Sequence, residues 1–172
     1  EMTRVSYPSE SLPGPVSVSV DLPDGWSSGP LPMASFAAVS PEEVGGVYTN
    51  VVVAVVRVDE ATELSDLGEL ISQDLGSIAG AVVASEEDVD LGGSPGVLRV
   101  TELDVPESGA YKVVQVATLA KIGDGVADAV TLTVTLSRSA PTDHVEECHR
   151  IARSLRAGDA ACGPAGRPIG EE

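Results

Sequence analysis

The sequence predicts an α+β protein, in which an antiparallel sheet of about six to seven strands is flanked by two main helices. Short, valine-rich runs separated by glycine-containing turns are typical of antiparallel strands. Two longer segments instead repeat apolar residues at helical spacing. The predicted order is three strands, a helix, four strands and a helix. At 172 residues, the chain is long enough for one domain with a proper core.

The first three strands are predicted at 16–22, 34–40 and 49–59. In "VSVSVDL" (16–22) valine and serine alternate, so the valines should face the core and the serines the solvent. The third strand, "TNVVVAVVRVD", is apolar on both faces in its middle. Such a pattern is typical of a central strand that is covered on both sides, so we expect a cover over each face of the sheet.

The first helix is predicted within 61–80, and we expect it to supply the first of these covers. Thr62 is a plausible N-cap and Gly80 a suitable C-terminal stop. Its apolar stripe follows helical spacing and consists of Leu64, Leu67, Ile71, Leu75 and Ile78.

An antiparallel meander is predicted between the two helices, because strand-like runs alternate with the turns "GGSPG", "PESG" and "GDG". Its four strands are expected at 81–91, 97–105, 110–122 and 126–138.

The second helix is predicted near 142–157, between Pro141 and Gly158. Acidic residues lie near its start and arginines toward its end, which suits the helix dipole. The expected buried stripe consists of Val145, Cys148, Ile151, Ala152 and Leu155.

Outside these elements the chain is rich in Ser, Pro and Gly. Residues 1–14 are interpreted as a flexible tether, 15–157 as a single α+β domain and 158–172 as a C-terminal tail.

The charge excludes one class of partner. A formal net charge of −17 argues against nucleic acid, because phosphate contacts require clustered Lys and Arg. No run reaches the ~18 apolar residues of a membrane span. We therefore expect a monomer that binds a protein partner or an apolar small molecule.

The sequence contains no recognisable motif for catalysis, cofactor binding or metal binding. His144 and Cys148 lie four residues apart, but a structural zinc site needs four ligands. The acidic run "SEEDVD" (85–90) lacks the alternating ligands and central Gly of a calcium loop. GxGxxG, GKS/T and GxSxG are all absent. We therefore predict no cofactor, no metal and no enzymatic activity.

The two cysteines, Cys148 and Cys162, are expected to form a disulfide that staples the tail onto the last helix. The nine helical residues beyond Cys148 rise ~14 Å, which four extended residues after a reversal at Gly158 can span in return. The alternative is a free, buried thiol, because Cys148 lies on the apolar stripe.

Trp26, the only tryptophan, follows the turn Pro23-Asp24-Gly25. The first interpretation is a ring that plugs one end of a valine core short of large side chains. The second is a pocket wall beside a cleft, formed together with Met33, Phe36 and Tyr48, that could grip an acyl chain or a partner loop.

The order of elements resembles the PsbP-like fold, and within it the LpqN/LpqT-type lipoproteins of actinobacteria. The resemblance covers roughly residues 15–157 and rests on the "LPDGW" turn, "GGSPG" at 92–96 and "VTLTVT" at 130–135. It implies an exported cell-envelope protein, membrane-bound only through a lipid anchor on a cysteine preceding the tether. The wider group contains non-catalytic binders and assembly factors, and the resemblance transfers no active site.

The expected function is therefore that of a non-catalytic, extracytoplasmic binding domain. A protein-binding module would show an exposed apolar patch and no deep cavity. A lipid or glycolipid carrier would show an enclosed apolar pocket near Trp26. An enzyme without a recognisable motif would show convergent polar groups in a cleft.

Overall fold

A computed structural model of the chain describes residues 7–9, 12–76, 78 and 80–158. Its main sheet contains seven antiparallel strands in the spatial order β2-β3-β4-β8-β7-β6-β5. In chain order the elements are β1 (Val18–Ser19), β2 (Ser27–Gly29), β3 (Phe36–Val44), β4 (Val47–Asp59), α1 (Leu64–Gly76), β5 (Val82–Asp90), β6 (Pro95–Val105), β7 (Gly109–Gly123), β8 (Val126–Ser137), α2 (Thr142–Arg153) and β9 (Arg156–Ala157).

The predicted α+β class is confirmed, as is the meander from β5 to β8. Both depend on local signals, since each hairpin joins strands that are neighbours in sequence and in the sheet. The edge strand β2 is a short addition that the sequence pattern did not predict. It pairs with β3 at Ser27↔Val39.

The strand predicted at 16–22 is shorter than expected, although its valines face the core as predicted. Within this segment only β1 is a strand, and it pairs with β9 rather than with the main sheet. Helix α2 is also shorter than predicted, because it ends at Arg153 and the chain is extended again at β9. At this end the Ser154 hydroxyl donates to the Ile151 carbonyl at 2.7 Å and accepts from the Asp21 backbone N–H at 2.9 Å. The early segment therefore lies along α2.

Two hydrophobic cores of unequal size lie on opposite faces of the sheet. The larger is formed by the sheet, α2 and the segment 16–26, and its buried residues include Val51, Val114, Leu132 and Leu155. The smaller lies under α1 and consists of Leu67, Ile71, Val97, Ala117 and Ala129. The predicted Leu75 side chain lies outside the described residues.

A buried ion pair fixes the start of the domain. Asp128 is 1% exposed and binds Arg57 Nε at 2.8 Å. Asp128 also accepts the Val16 backbone N–H at 2.9 Å, while Arg57 donates to the carbonyls of Pro13 and Gly14. This clamp ties residues 13–16 to the ends of β4 and β8. The division into tether, domain and tail stays a prediction, because residues 1–6, 10, 11 and 159–172 lie outside the described part of the chain.

Candidate functional site

Strand β4 is apolar on both faces, but among the described residues one of these faces is covered only near its end, where Val58 packs against the smaller core. Helix α1 packs on β6 and β7, toward the far side of the sheet. On the same face of β4, Val52 and Ala54 are half-buried and Val56 is 61% exposed. The expected cover over each face of the sheet is present, since α2 and α1 pack on opposite faces. Among the described residues, however, neither helix covers the middle of this face of β4, so the double apolar pattern there requires another explanation.

We call the uncovered surface the open face. Alternation along the strands places on it the side chains that point away from the larger core. The strand register brings these into rows across the sheet, for example Ala37↔Val52 and Val52↔Thr133. The open face consists of Ala37 and Val39 of β3, Tyr48, Asn50, Val52, Ala54 and Val56 of β4, and Thr131, Thr133 and Thr135 of β8.

None of the ten residues of the open face is charged, although the chain carries a net charge of −17. The first charge on this side is Glu43, the register partner of Tyr48 at the end of the face. Exposed carboxylates instead lie at its two ends, from Glu42 and Glu43 at one end and from Asp59, Glu60 and Asp124 at the other. Lys121 is a basic neighbour at the second end. Depletion of charge at the centre with charged residues at the rim is the pattern of a protein–protein interface.

The three aromatic residues and the methionine that were predicted to line one pocket do not all lie on the same side of the sheet. Trp26 and Phe36 are half-buried and pack against the larger core. Tyr48, 51% exposed, lies on the open face, on the other side of the sheet. Met33 is fully exposed in the β2–β3 connection. Trp26 thus occupies the position of a core plug, while a ligand-binding role for these residues stays a prediction.

Three open clefts among the described residues are large enough to consider. One of about 480 Å³ lies between the β3–β4 and β6–β7 hairpins and is lined by Gly45, Ser137 and Arg138. A second of about 350 Å³ separates α1 from β5, and a third of about 370 Å³ separates α2 from Asp21–Pro23. None of these three clefts is lined by Trp26 or Phe36.

A hydroxyl–imidazole–carboxylate array also occurs, which sequence reasoning missed. Thr49 Oγ1 lies 2.8 Å from His144 Nε2, and Glu147 lies 3.4 Å from His144 Nδ1. Its members have the order of a hydrolase triad. However, Thr49 is 0% exposed and lines none of the three clefts. The array therefore satisfies buried polar groups between β4 and α2, and no sequence signal joins positions 49 and 144.

Cys148 is buried in the larger core and has no disulfide partner among the described residues. Burial, followed by the nearby Glu147 carboxylate, raises its pKa to about 12. A thiol with this pKa is protonated and inert as a nucleophile at neutral pH. The predicted partner, Cys162, lies outside the described residues, so the disulfide stays a prediction.

In the described part of the chain, no cluster of three or more His, Cys, Asp or Glu side chains has a geometry that could hold a metal ion. None of its helices is long and apolar enough to cross a membrane.

Comparison with known proteins gave structural likeness without sequence likeness. No protein-family model and no curated protein matches the chain. LpqN, which is involved in cell envelope biogenesis of Mycobacterium tuberculosis, superposes with a TM-score of 0.66 at 13% identity, covering 87% of each chain. Cyanobacterial PsbP (CyanoP) of Synechocystis sp. PCC 6803 gives 0.54 at 13% identity, over 91% of this chain and 98% of CyanoP. The Ran-binding protein Mog1p of Saccharomyces cerevisiae gives 0.52 at 12% identity, over 81% and 89%.

These likenesses define the class of fold. The chain has the PsbP-like α+β fold shared by LpqN, CyanoP and Mog1p. At such low identity fold does not imply function, so the open face must carry the functional argument by itself.

Proposed function

We propose that this protein is a non-catalytic, extracytoplasmic domain of the cell envelope that binds a protein partner through the open face. The observation that carries the proposal is the charge-free surface over β3, β4 and β8. Val39 is 40% exposed on it and Val56 61% exposed. Contiguous exposed apolar surface with a polar rim is typical of protein-interaction sites.

The packing of the larger core supports the lipid-carrier hypothesis less than it supports a protein-binding domain. The protein's own Val16, Val18, Val20, Leu22 and Trp26 pack against that core. Apolar ligand pockets are usually largely pre-formed. An apolar ligand there would have to displace these side chains, whereas a protein could dock on the open face without rearrangement.

The proposed location and class of partner draw on the structural relatives. LpqN is involved in cell envelope biogenesis, and Mog1p is a Ran-binding protein. These relatives support envelope placement and a protein partner for this fold. We propose that the segment preceding the Arg57–Asp128 clamp serves as the tether to a lipid anchor.

Site-specific photo-cross-linking tests this function. Benzoylphenylalanine would replace Thr133, on the open face, or Glu146, an exposed residue of α2, in protein expressed in its native envelope. We expect one protein adduct, identified by mass spectrometry, from position 133 and none from position 146. Equal cross-linking from both positions, or native mass spectra showing co-purified lipid with no protein adduct, would contradict the proposal.

A further inference from the structure

Among the described residues, the helix layer on the open side of the sheet is half filled. Helix α1 lies mainly over β7 and β6 and reaches the next strands only near one end, at Ala129 of β8 and Val58 of β4. The open face covers the rest of β8 and β4 and continues onto β3. Strands are about 4.8 Å apart, so the axes of β8 and β3 are separated by roughly 10 Å. Packed helices lie about 8–10 Å apart. The vacant strip therefore has the width of one more helix.

The floor of the vacant strip resembles the floor on which α1 already packs. Helix α1 seats Leu67 and Ile71 on Val97, Ala117 and Ala129. The open face offers a comparable mixture of small and β-branched side chains, among them Val52, Ala54, Thr131 and Thr133. Large apolar side chains from an amphipathic helix could pack between these rows as those of α1 do.

Charge determines which helix fits this strip. Carboxylates of Glu42, Glu43, Asp59 and Glu60 flank its two ends, and Asp66 is exposed on the neighbouring α1. A second copy of the chain would bring its own net charge of −17 to this rim. Complementarity therefore favours basic groups on the partner, while like charges suppress self-association.

We infer that the docking segment of the partner is an amphipathic helix with an apolar stripe and Lys- or Arg-bearing flanks, which lies beside α1 and completes the helix layer. The inference rests on the proposed function, since it names the partner's chemistry at the same face. A helix in a groove is recognised through apolar anchors at i, i+3, i+4 and i+7.

Fluorescence anisotropy with labelled synthetic peptides tests the inference on the full chain. The first peptide is a helix of about 18 residues, roughly 27 Å long, with a Leu/Ala stripe and Lys flanks. Two controls are a peptide of the same composition with alternating, strand-type order, and the helix with Glu in place of Lys. We expect saturable binding of the Lys helix alone, weakened several-fold in 0.5 M salt because the charge contribution is screened.

Two protein variants locate the binding. Val56→Asp puts a charge into the strip, and Val82→Asp makes the same change at a valine of similar exposure, 63%, on the opposite edge strand β5. Val56→Asp should weaken helix binding at least ten-fold, whereas Val82→Asp should leave it unchanged. Circular dichroism melting of both variants checks that each is folded.

The outcomes separate the inference from the proposed function. Equal binding of the strand-type or Glu peptide, or equal loss in both variants, overturns the helix assignment. If the helix fails to bind while position 133 still cross-links a protein, the partner class is wrong and the open face remains the interface. A dimer whose formation is abolished by Val56→Asp would overturn the inference in favour of a second copy.

Discussion

Asp128 is the residue on which the start of the domain depends. Burial alone would raise its pKa, but hydrogen bonds from Arg57 and from the Val16 backbone N–H outweigh burial. The pKa of Asp128 therefore lies below its ordinary value, and the carboxylate form is favoured in the folded state. Such a group stabilises the fold above its unfolded-state pKa of about 3.9 and ceases to do so as the pH falls through its lower folded-state pKa.

Asp128→Asn should lower the free energy of unfolding by about 1–3 kcal/mol at pH 7, because it removes a buried, charged acceptor from the Arg57 guanidinium and the Val16 backbone N–H. Urea denaturation measures this loss. The difference from the wild type should shrink as the pH falls below about 4, because Asp128 is protonated first in the unfolded state and then, at lower pH, in the folded state. Glu87→Gln, which removes an exposed ion pair with Arg153, is the control and should change stability by less than about 1 kcal/mol. A pH-independent difference would contradict the assigned ionisation.

Cys148 provides a second test at the residue scale. A thiol with a pKa of about 12 and no exposed surface should react slowly with a maleimide at pH 7.5 in the native protein. Cys162→Ser removes the other cysteine, so mass spectrometry then follows Cys148 alone. We expect labelling to become fast only in denaturant. Rapid labelling of the native variant would contradict the buried position, and an intact Cys148–Cys162 bond in the non-reduced wild type would establish the predicted disulfide.

At the scale of elements, the turn of the β3–β4 hairpin lies against the end of β8. Its turn residues, Gly45 and Gly46, both have positive φ values, 63° and 80°. A two-residue hairpin turn of this kind favours glycine at both positions. A Cβ on Gly45 would lie 2.7 Å from Ser137 Oγ and 2.9 Å from Ser137 Cβ, whereas a Cβ on Gly46 has no neighbour within 4 Å.

The two glycines therefore form a matched pair. Gly46→Ala should cost about 1 kcal/mol from backbone strain alone. Gly45→Ala should cost about 1–3 kcal/mol more, because a methyl group would also have to displace the packed Ser137. Equal losses of stability in urea denaturation would show that the close approach of Gly45 to β8 is absent.

The elements differ in how far the sequence could predict them. Strands β5–β8 follow from local alternation and short turns, and were placed to within a few residues. The partner of β1 could not be predicted, because its pairing with β9 joins the two ends of the domain and needs the position of α2. The contact between Thr49 and His144 is equally non-local.

At the scale of the whole molecule, the apolar pattern of β4 marked the strand that carries the open face, but the pattern alone could not show that one side of this strand is exposed. The valines of β4 predicted burial on both faces, and this is true for Val51 and Val53 on the side of α2. Val52 and Val56 carry the same signal but lie on the open face. A hydrophobic pattern indicates that a surface is more stable when it is removed from water. It does not indicate whether the residues that cover this surface belong to the same chain or to another molecule.

The aromatic residues show the same limit. Trp26, Phe36 and Tyr48 were grouped because they are large and rare in this chain. The sheet separates them, with Trp26 and Phe36 in the larger core and Tyr48 on the opposite face. Position along the sequence could not assign them to faces, because Trp26 lies between the Asp24-Gly25 turn and β2, outside the alternation of any strand.

The most direct test of the central claim combines the cross-link at position 133 with one substitution on the open face. Val56→Asp and Val82→Asp, at valines 61% and 63% exposed, would each be added to the photo-cross-linking protein. We predict that Val56→Asp reduces the yield of the protein adduct at least ten-fold and that Val82→Asp leaves it unchanged. An adduct that survives Val56→Asp at full yield would show that the partner binds elsewhere and would contradict the assignment of the open face as the interface.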